Sequence, residues 1–299
     1  MKKINIAICF LLSLLVLTSC GDKAISQKEP QLDHEEKRIV SLSGFLTETL
    51  IDLGLGDHIV GRDITSTFPP EKVNEIPSLG HVSQLNMEAV LALNPKTVIL
   101  EEAQAKQAKE LEKLSEAGIE IITVPTSRTF DNAQKASKFI SQKIKLDEKA
   151  LGDLAKGIEK DSLALAEILN GIENDQKPRV LFIYARGAGR LMVGGSNTSA
   201  SAIIEKAGGV NAIESFENFQ ALTPEYLVEA SPDVILMFTS GIASLDGKEG
   251  LGQIPGVAQT PAYKNDRIVA MDGHYLTAFG SRAAQAAKEL ALAIHDKEM

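Results

Sequence analysis

The residues of this chain that could do chemistry are two repeated glutamates and a thin scatter of cations and histidines. Leu85 to Leu100 reads LNMEAVLALNPKTVIL, and Leu222 to Met237, 137 residues later, reads LTPEYLVEASPDVILM. Each copy sets a glutamate, Glu88 or Glu225, on its fourth position. Each then runs through apolar patterning, breaks at Pro and ends in a buried-strand run. Enzyme signatures are mostly absent. Gly187-Ala188-Gly189 follows a strand as a dinucleotide loop would, but Met192 stands where the third glycine belongs. Gly241 to Lys248 misses the phosphate-loop spacing by one residue, and Glu249 replaces its Ser or Thr. No G-x-S-x-G elbow and no zinc-spaced His/Cys cluster occurs. With five histidines and two cysteines, Cys9 and Cys20, a catalytic centre would have to rest on scattered carboxylates. No convergent acid/base pair is evident.

The elements that position these residues follow from patterning. A repeat at this distance is too long for a solenoid or propeller, and reads as two similar α/β lobes. Short apolar strands at Arg38–Leu42, Ile59–Gly61, Thr97–Leu100 and Ile119–Val124 alternate with helical stretches closed by Gly54 and Gly118. The pattern resumes at Arg179–Tyr184, Val234–Phe238 and Arg267–Met271, with helices at Ser199–Ala207 and Ser281–Ile294. Strands alternating with helices predict mostly parallel sheets. Between Pro125 and Pro178 there is no proline and no strand-like run. Asp131 and Asp147 are each placed to cap a helix. Asp147 to Leu169 predicts a connector of roughly 35 Å. The expected fold is α/β, with two Rossmann-like lobes joined by a long connector helix and a ligand cleft between them.

Composition bounds the setting. The formal charge is −9, and the first nineteen residues hold Lys2 and Lys3 and no acid, so their removal leaves −11. An acidic body argues against nucleic acid as a partner. Ile4 to Leu17 is an apolar run behind those lysines, too short for a stable span, and reads as a secretory signal. Its Leu17-Thr18-Ser19-Cys20 ending resembles the bacterial lipobox, which implies cleavage before Cys20 and lipidation of its thiol. The mature chain then has no disulfide and relies on its core. The expected organisation is a signal peptide over 1–19, a lipidated tether over 20–36, an N-terminal lobe over 37–127, connector helices over 128–177 and a C-terminal lobe over 178–299.

Several segments taken together carry a family resemblance. Arg38-Ile39-Val40-Ser41-Leu42 with Thr47-Glu48 and Leu53-Gly54, the L-x-x-E-x-V-L-A-L-N-P stretch and Asp272 to Arg282 resemble the helical-backbone class (class III) of substrate-binding proteins of ABC importers. The resemblance covers nearly all of residues 37–297. Gly61-Arg62-Asp63-Ile64-Thr65-Ser66 and the closing DGHYLTAFGSR resemble its haem branch. The class also serves cobalamin and ferric siderophores, which stand as alternatives; an enzyme or chelatase on a similar fold is another. The chain's 5% aromatic content without Trp weighs against a siderophore cleft.

The resemblance implies roles residue by residue. Glu88 and Glu225 match the glutamates that meet arginines of the permease, fixing orientation more than adding affinity. Both also fit as helix-start acids favoured by the helix dipole, and the two roles are compatible. His81 stands where the haem branch usually presents a tyrosine to ferric iron, and imidazole is an equally legitimate axial ligand. Such a ligand would fail in acid as the ring protonates. His274 and Tyr275 are second or alternative ligands. Arg62, Arg186 and Arg282 are candidates for the haem propionates, which a guanidinium pairs as a fork. The implied protein is a monomeric, lipid-anchored, non-enzymatic carrier in iron acquisition. It would sit on the periplasmic side of the cell envelope, meeting the membrane only through Cys20, with a permease and its ATPase as partners.

Overall fold

The computed structural model describes residues 37–106, 111–146 and 149–296. The signal sequence, Cys20 and the proposed cap Asp147 lie outside them. Within them the alternating pattern folds as expected, into two α/β lobes. In the first, β1 (Ile39–Ser41), β2 (Ile59–Arg62), β3 (Thr97–Glu101) and β4 (Glu120–Val124) form a parallel sheet ordered β2-β1-β3-β4. The helices α1 (Gly44–Asp52), α2 (Met87–Ala92) and α3 (Leu111–Glu116) alternate with these strands. In the second lobe, β5 (Arg179–Ala185), β7 (Val210–Asn211), β9 (Val234–Phe238) and β10 (Ile268–Met271) are parallel. Their order is β7-β5-β9-β10, the same as in the first lobe. Strands β3, β5 and β9 are buried almost throughout, as continuous apolar runs in covered parallel sheets are.

The second lobe carries an addition that patterning did not predict. Strands β6 (Leu191–Gly194) and β8 (Phe219–Ala221) run antiparallel and extend β5 at its carboxyl end. Gly187-Ala188-Gly189 is the turn of the hairpin that joins β5 to β6. Arg186 N donates to Arg190 O (3.1 Å), and Gly187 takes a φ of 70°, which glycine reaches without a Cβ penalty.

The repeated segments are α2 with β3 and α7 (Pro224–Ala230) with β9. Each helix is capped by the polar residue before it: Asn86 Oδ1 accepts from Ala89 N (3.1 Å), and Thr223 Oγ1 from Tyr226 N (3.3 Å). Each leaves its helix through a left-handed residue before proline, Asn94 (φ 46°) and Ser231 (φ 35°). An arginine opening the central strand of each sheet closes the helix end: Arg38 reaches Leu93 O and Asn94 O, and Arg179 reaches Ala230 O. These are the orphan carbonyls that any helix end must satisfy.

Two connector helices lie between the lobes, α4 (Asn132–Ile144) and α5 (Lys149–Leu169). Asp131 precedes α4 but does not cap it; its carboxylate accepts from Thr129 and pairs with Lys135 instead. Lys135 and Thr129 hold it below its ordinary range. Helix α5 has 21 residues, about 31 Å at 1.5 Å each. It joins both cores: Ile158 packs in the first lobe's cluster and Leu165 in the second's. Its outer side is covered by the closing helix α9 (Ala283–Ile294). No helix among the described residues is long and apolar enough to cross a membrane.

Candidate functional site

A cavity of about 840 Å³ opens between the lobes, towards the upper end of the range of about 300–1,000 Å³ usual for ligand sites. Most of its lining leaves the carboxyl end of a parallel strand. Ser43 and Gly44 follow β1, Thr65 and Thr67 follow β2, and Glu101 ends β3. Tyr184 to Arg186 end β5, Phe238 ends β9, and Asp272 to His274 follow β10. This is where open α/β sheets place ligands, because loops there are free of the strand ladders.

The first lobe's contribution is polar and tightly braced. Asp63 is fully buried; its carboxylate accepts from Thr65 Oγ1 (2.6 Å) and Ser66 Oγ (2.7 Å), and Ser66 in turn meets Thr47 Oγ1 (2.7 Å). Thr65 Oγ1 accepts from Gly44 N (2.9 Å), fixing the loop to the start of α1. A Cβ on Gly44 would lie 2.4 Å from Thr65 O and 2.8 Å from the His274 ring, so this close approach requires glycine. Glu101 is held by Ser43 Oγ and by Thr126 Oγ1 (3.2 Å).

The second lobe presents rings. Tyr184 and Phe238 meet edge-on with centroids 6.0 Å apart, Phe182 lies 4.9 Å from Phe238, and Phe219 stands 6.2 Å from Phe182. Such geometry matches positive ring edges to negative faces. The chain has only ten Phe and four Tyr, yet these four and Phe45 all lie at the cleft or its side chamber. Low aromatic content therefore does not mean few rings at the site. Aromatics at the carboxyl ends of the apolar strands β5 and β9 were the sequence signal for this wall.

The sequence-predicted residues separate into distinct places. Arg186 lines the cavity, is exposed, sits 5.8 Å from the Tyr184 ring centroid and is in no ion pair among the described residues. Arg62 does not line it: Nε donates to Val73 O (2.6 Å) and Nη1 to Asp63 O (3.3 Å), so this guanidinium braces its own loop. Arg282 is also drawn elsewhere. It forks onto Glu48, Nε to Oε1 (2.8 Å) and Nη2 to Oε2 (2.9 Å), with the Phe68 ring 3.5 Å from its carbon. His274 lines the cavity but turns Nε2 to Glu48 Oε2 (3.2 Å), and Ser281 Oγ donates to Oε1 (3.0 Å). Tyr275 points to Glu289 instead of the cavity, donating to Oε1 (2.8 Å). Its burial, then the Glu289 carboxylate, push the phenol far above its ordinary range, which opposes phenolate ligation.

His81 is exposed, outside the residues lining the cavity. Ile64 N donates to Gly80 O (2.9 Å), which sets His81 beside the loop carrying Thr65 and Thr67. Its Nδ1 meets Ser83 Oγ (2.8 Å) and Ser83 N (3.2 Å), and Nε2 has no hydrogen-bond partner among the described residues. Glu88 and Glu225 are both exposed in the first turn of their helices. Its own backbone N–H, then the Thr223 hydroxyl, hold Glu225 below the usual carboxylate range.

Glu48 is the site residue that sequence reasoning quoted only for resemblance. It lies on α1 of the first lobe, buried, and its four partner contacts come from the closing segment of the second. Burial alone would raise its pKa; the Arg282 and His274 hydrogen bonds and charges overcome this and bring it to about 2. A lone acid inside the apolar stretch Phe45–Leu50 was the signal for such a role. Among the described residues no group of three or more His, Cys, Asp or Glu could hold a bare metal ion.

The model of the periplasmic binding protein family matches residues 39–275. In sequence, the chain is 26% identical to the uncharacterized ABC transporter substrate-binding lipoprotein YvrC of Bacillus subtilis, with 98% of each chain covered. It is 25% identical to a cobalamin-binding protein of Halobacterium salinarum, over 89% of this chain and 71% of that one. In structure, it is similar to the apo form of the periplasmic heme-binding protein RhuT of Roseiflexus sp. RS-1. The TM-score is 0.80 and the identity 35%, covering 87% of this chain and 98% of that one.

Proposed function

This chain belongs to the periplasmic binding protein family, and from that premise we propose that it captures haem between its lobes and presents it to an ABC permease. It is a substrate-binding protein of an ABC transporter; the ligand is the proposal. The observation that carries it is the asymmetry of the cleft. One side of it carries rings, Tyr184 and Phe238 on the main cavity with Phe182 and Phe219 behind them in the side chamber, beside the cation Arg186, which is in no ion pair among the described residues. A flat apolar macrocycle bearing carboxylates matches that wall in both shape and charge. The likeness to a heme-binding protein supports the same choice. In this reading His81 is the iron ligand through Nε2, and Ser83, whose N–H and Oγ both meet Nδ1, orients the ring. Arg186 takes a propionate.

Glu88 and Glu225 are the permease contacts. Each starts a helix that runs antiparallel to its sheet, so its first turn faces the cleft side of its lobe. Each is followed three residues on by an exposed apolar side chain, Leu91 and Val228, giving two matched acid-and-apolar feet. Cys20 supplies the lipid anchor.

Hemin titrated into the purified protein should give a shifted Soret band, which His81→Ala abolishes and acid reverses. An unshifted wild-type spectrum removes haem as the ligand. A shifted spectrum unchanged in His81→Ala moves the iron elsewhere. The second reading, cobalamin, has the Halobacterium relative behind it; cyanocobalamin displacing hemin from the cleft would favour it.

A further inference from the structure

The loop leaving β4 carries an arginine that sequence patterning passes over. Its turn is closed beneath the tip: Ser127 Oγ meets Thr129 Oγ1 at 2.8 Å, and Thr129 Oγ1 donates to Asp131 Oδ1 at 2.5 Å. Buried Asn132 pins the turn, accepting from Ser127 N (2.7 Å) and donating to Phe279 O of the second lobe (3.1 Å). From the tip, Arg128 reaches across the lobes. Nη1 donates to Asn197 Oδ1 (2.9 Å) and Nε to Ser199 Oγ (3.3 Å). Both acceptors are neutral, so they orient the guanidinium without cancelling its charge. Nη2 meets no acceptor among the described residues.

This cation stands on the wall of a side chamber of about 400 Å³, shared with Phe182, Met192 and Phe219. The chamber runs into the main cavity through Tyr184, Phe238 and Thr277, which line both. The two spaces differ in one respect that decides their chemistry. The main cavity has Glu101 and Asp272 on its wall, whereas the side chamber has no acid at all. An unneutralised guanidinium against aromatic rings favours an anionic group carried on an apolar body.

We propose that the side chamber is a carboxylate subsite in which Arg128 takes one acidic group of the ligand. Because its other donors are spent on the opposite lobe, the same residue ties the lobes together over the occupied chamber. The assignment rests on haem as the ligand, and hemin beside its dimethyl ester tests both.

Arg128→Ala should weaken hemin roughly ten- to a hundredfold, the range for a lost charge-assisted hydrogen bond. The ester, which has no carboxylate, should lose far less, only what the interlobe tie contributes. Arg128→Lys keeps the charge without the fork and should fall between. Asn197→Ala, which removes one of the two interlobe bonds of Arg128 and leaves its charge, should keep the hemin-to-ester ratio of wild type. Equal weakening of hemin and ester by Arg128→Ala overturns the subsite and leaves Arg128 a strap. So does no weakening at all. A wild type that binds neither compound overturns the haem reading, and the subsite falls with it.

Discussion

The two lobes share a scaffold and differ in what they show the ligand. Both sheets have the same parallel order, and both repeated helices are capped by a polar side chain, end before proline and are closed by an arginine from the central strand. At the cleft the likeness ends. The first lobe presents hydroxyls braced by Asp63 and a carboxylate, Glu101, held by Ser43 and Thr126, while the second has the antiparallel strands β6 and β8, its rings and Arg186. The difference teaches that a βα unit has two independent ends. The amino ends of its strands hold the fold through backbone capping, and the carboxyl ends are free to diverge into a binding site.

That comparison can be broken most severely at the outer surface. If the repeated acids are matched feet, Glu88→Lys with Glu225→Lys should abolish ligand uptake in cells while leaving hemin affinity within twofold. Each single reversal should cause a partial loss. Uptake unaffected by the double reversal would reduce the repeat to a scaffold feature. Loss of charge steering at such contacts typically acts on encounter and orientation more than on the ligand site.

A smaller but still large effect is expected where the lobes meet. Glu48 stands at about 2 in the folded chain against 4.5 for the free side chain. Its ion pair is therefore complete above about pH 4.5 and is lost as pH falls through about 2, a loss on the order of 3 kcal/mol. Asp52, raised by its own burial and by the Glu48 charge, works in the opposite sense and blunts the fall. Denaturant unfolding at stepped pH should show this slope in wild type and a flatter one in Glu48→Gln. At neutral pH that variant should lose about 3–5 kcal/mol, because Arg282 and His274 are left without their anion. A variant as stable as wild type would remove the interlobe role.

The smallest effect sharpens the likeness itself. Arg38→Ala and Arg179→Ala each strip capping from a repeated helix, and each should cost about 1–3 kcal/mol. Similar losses in the two lobes would mark one device used twice. A loss confined to one lobe would show that the other sheet holds its helix by packing alone.

Much of the fold was legible because it depends on short-range chemistry. The apolar runs at Thr97–Glu101 and Val234–Phe238, the breaks at Pro95 and Pro232 and the glycine stops at Gly54 and Gly118 are local signals of burial and backbone freedom. The antiparallel pair of β6 and β8 was not legible. Its strands are short, and Phe219–Ala221 is exposed and pairs with Met192–Gly194, whose register nothing nearby specifies. Among the candidate residues, Arg186 lines the cleft, and Glu88 and Glu225 are exposed at the starts of their helices. Arg62 and Arg282 do not line the cleft, because nearer acceptors, Val73 O and the Glu48 carboxylate, claim their donors.

By itself, then, the sequence determined that there would be two similar lobes, where their helices stop, and that one glutamate would begin the same helix in each. These features follow from period, capping and proline geometry within a few residues. Only the tertiary structure decided which charges meet. Glu48 and Arg282 are 234 residues apart, and Arg128 and Asn197 are 69. Such pairs have no local signature, since their attraction acts only after both cores have packed and brought the loops to the cleft.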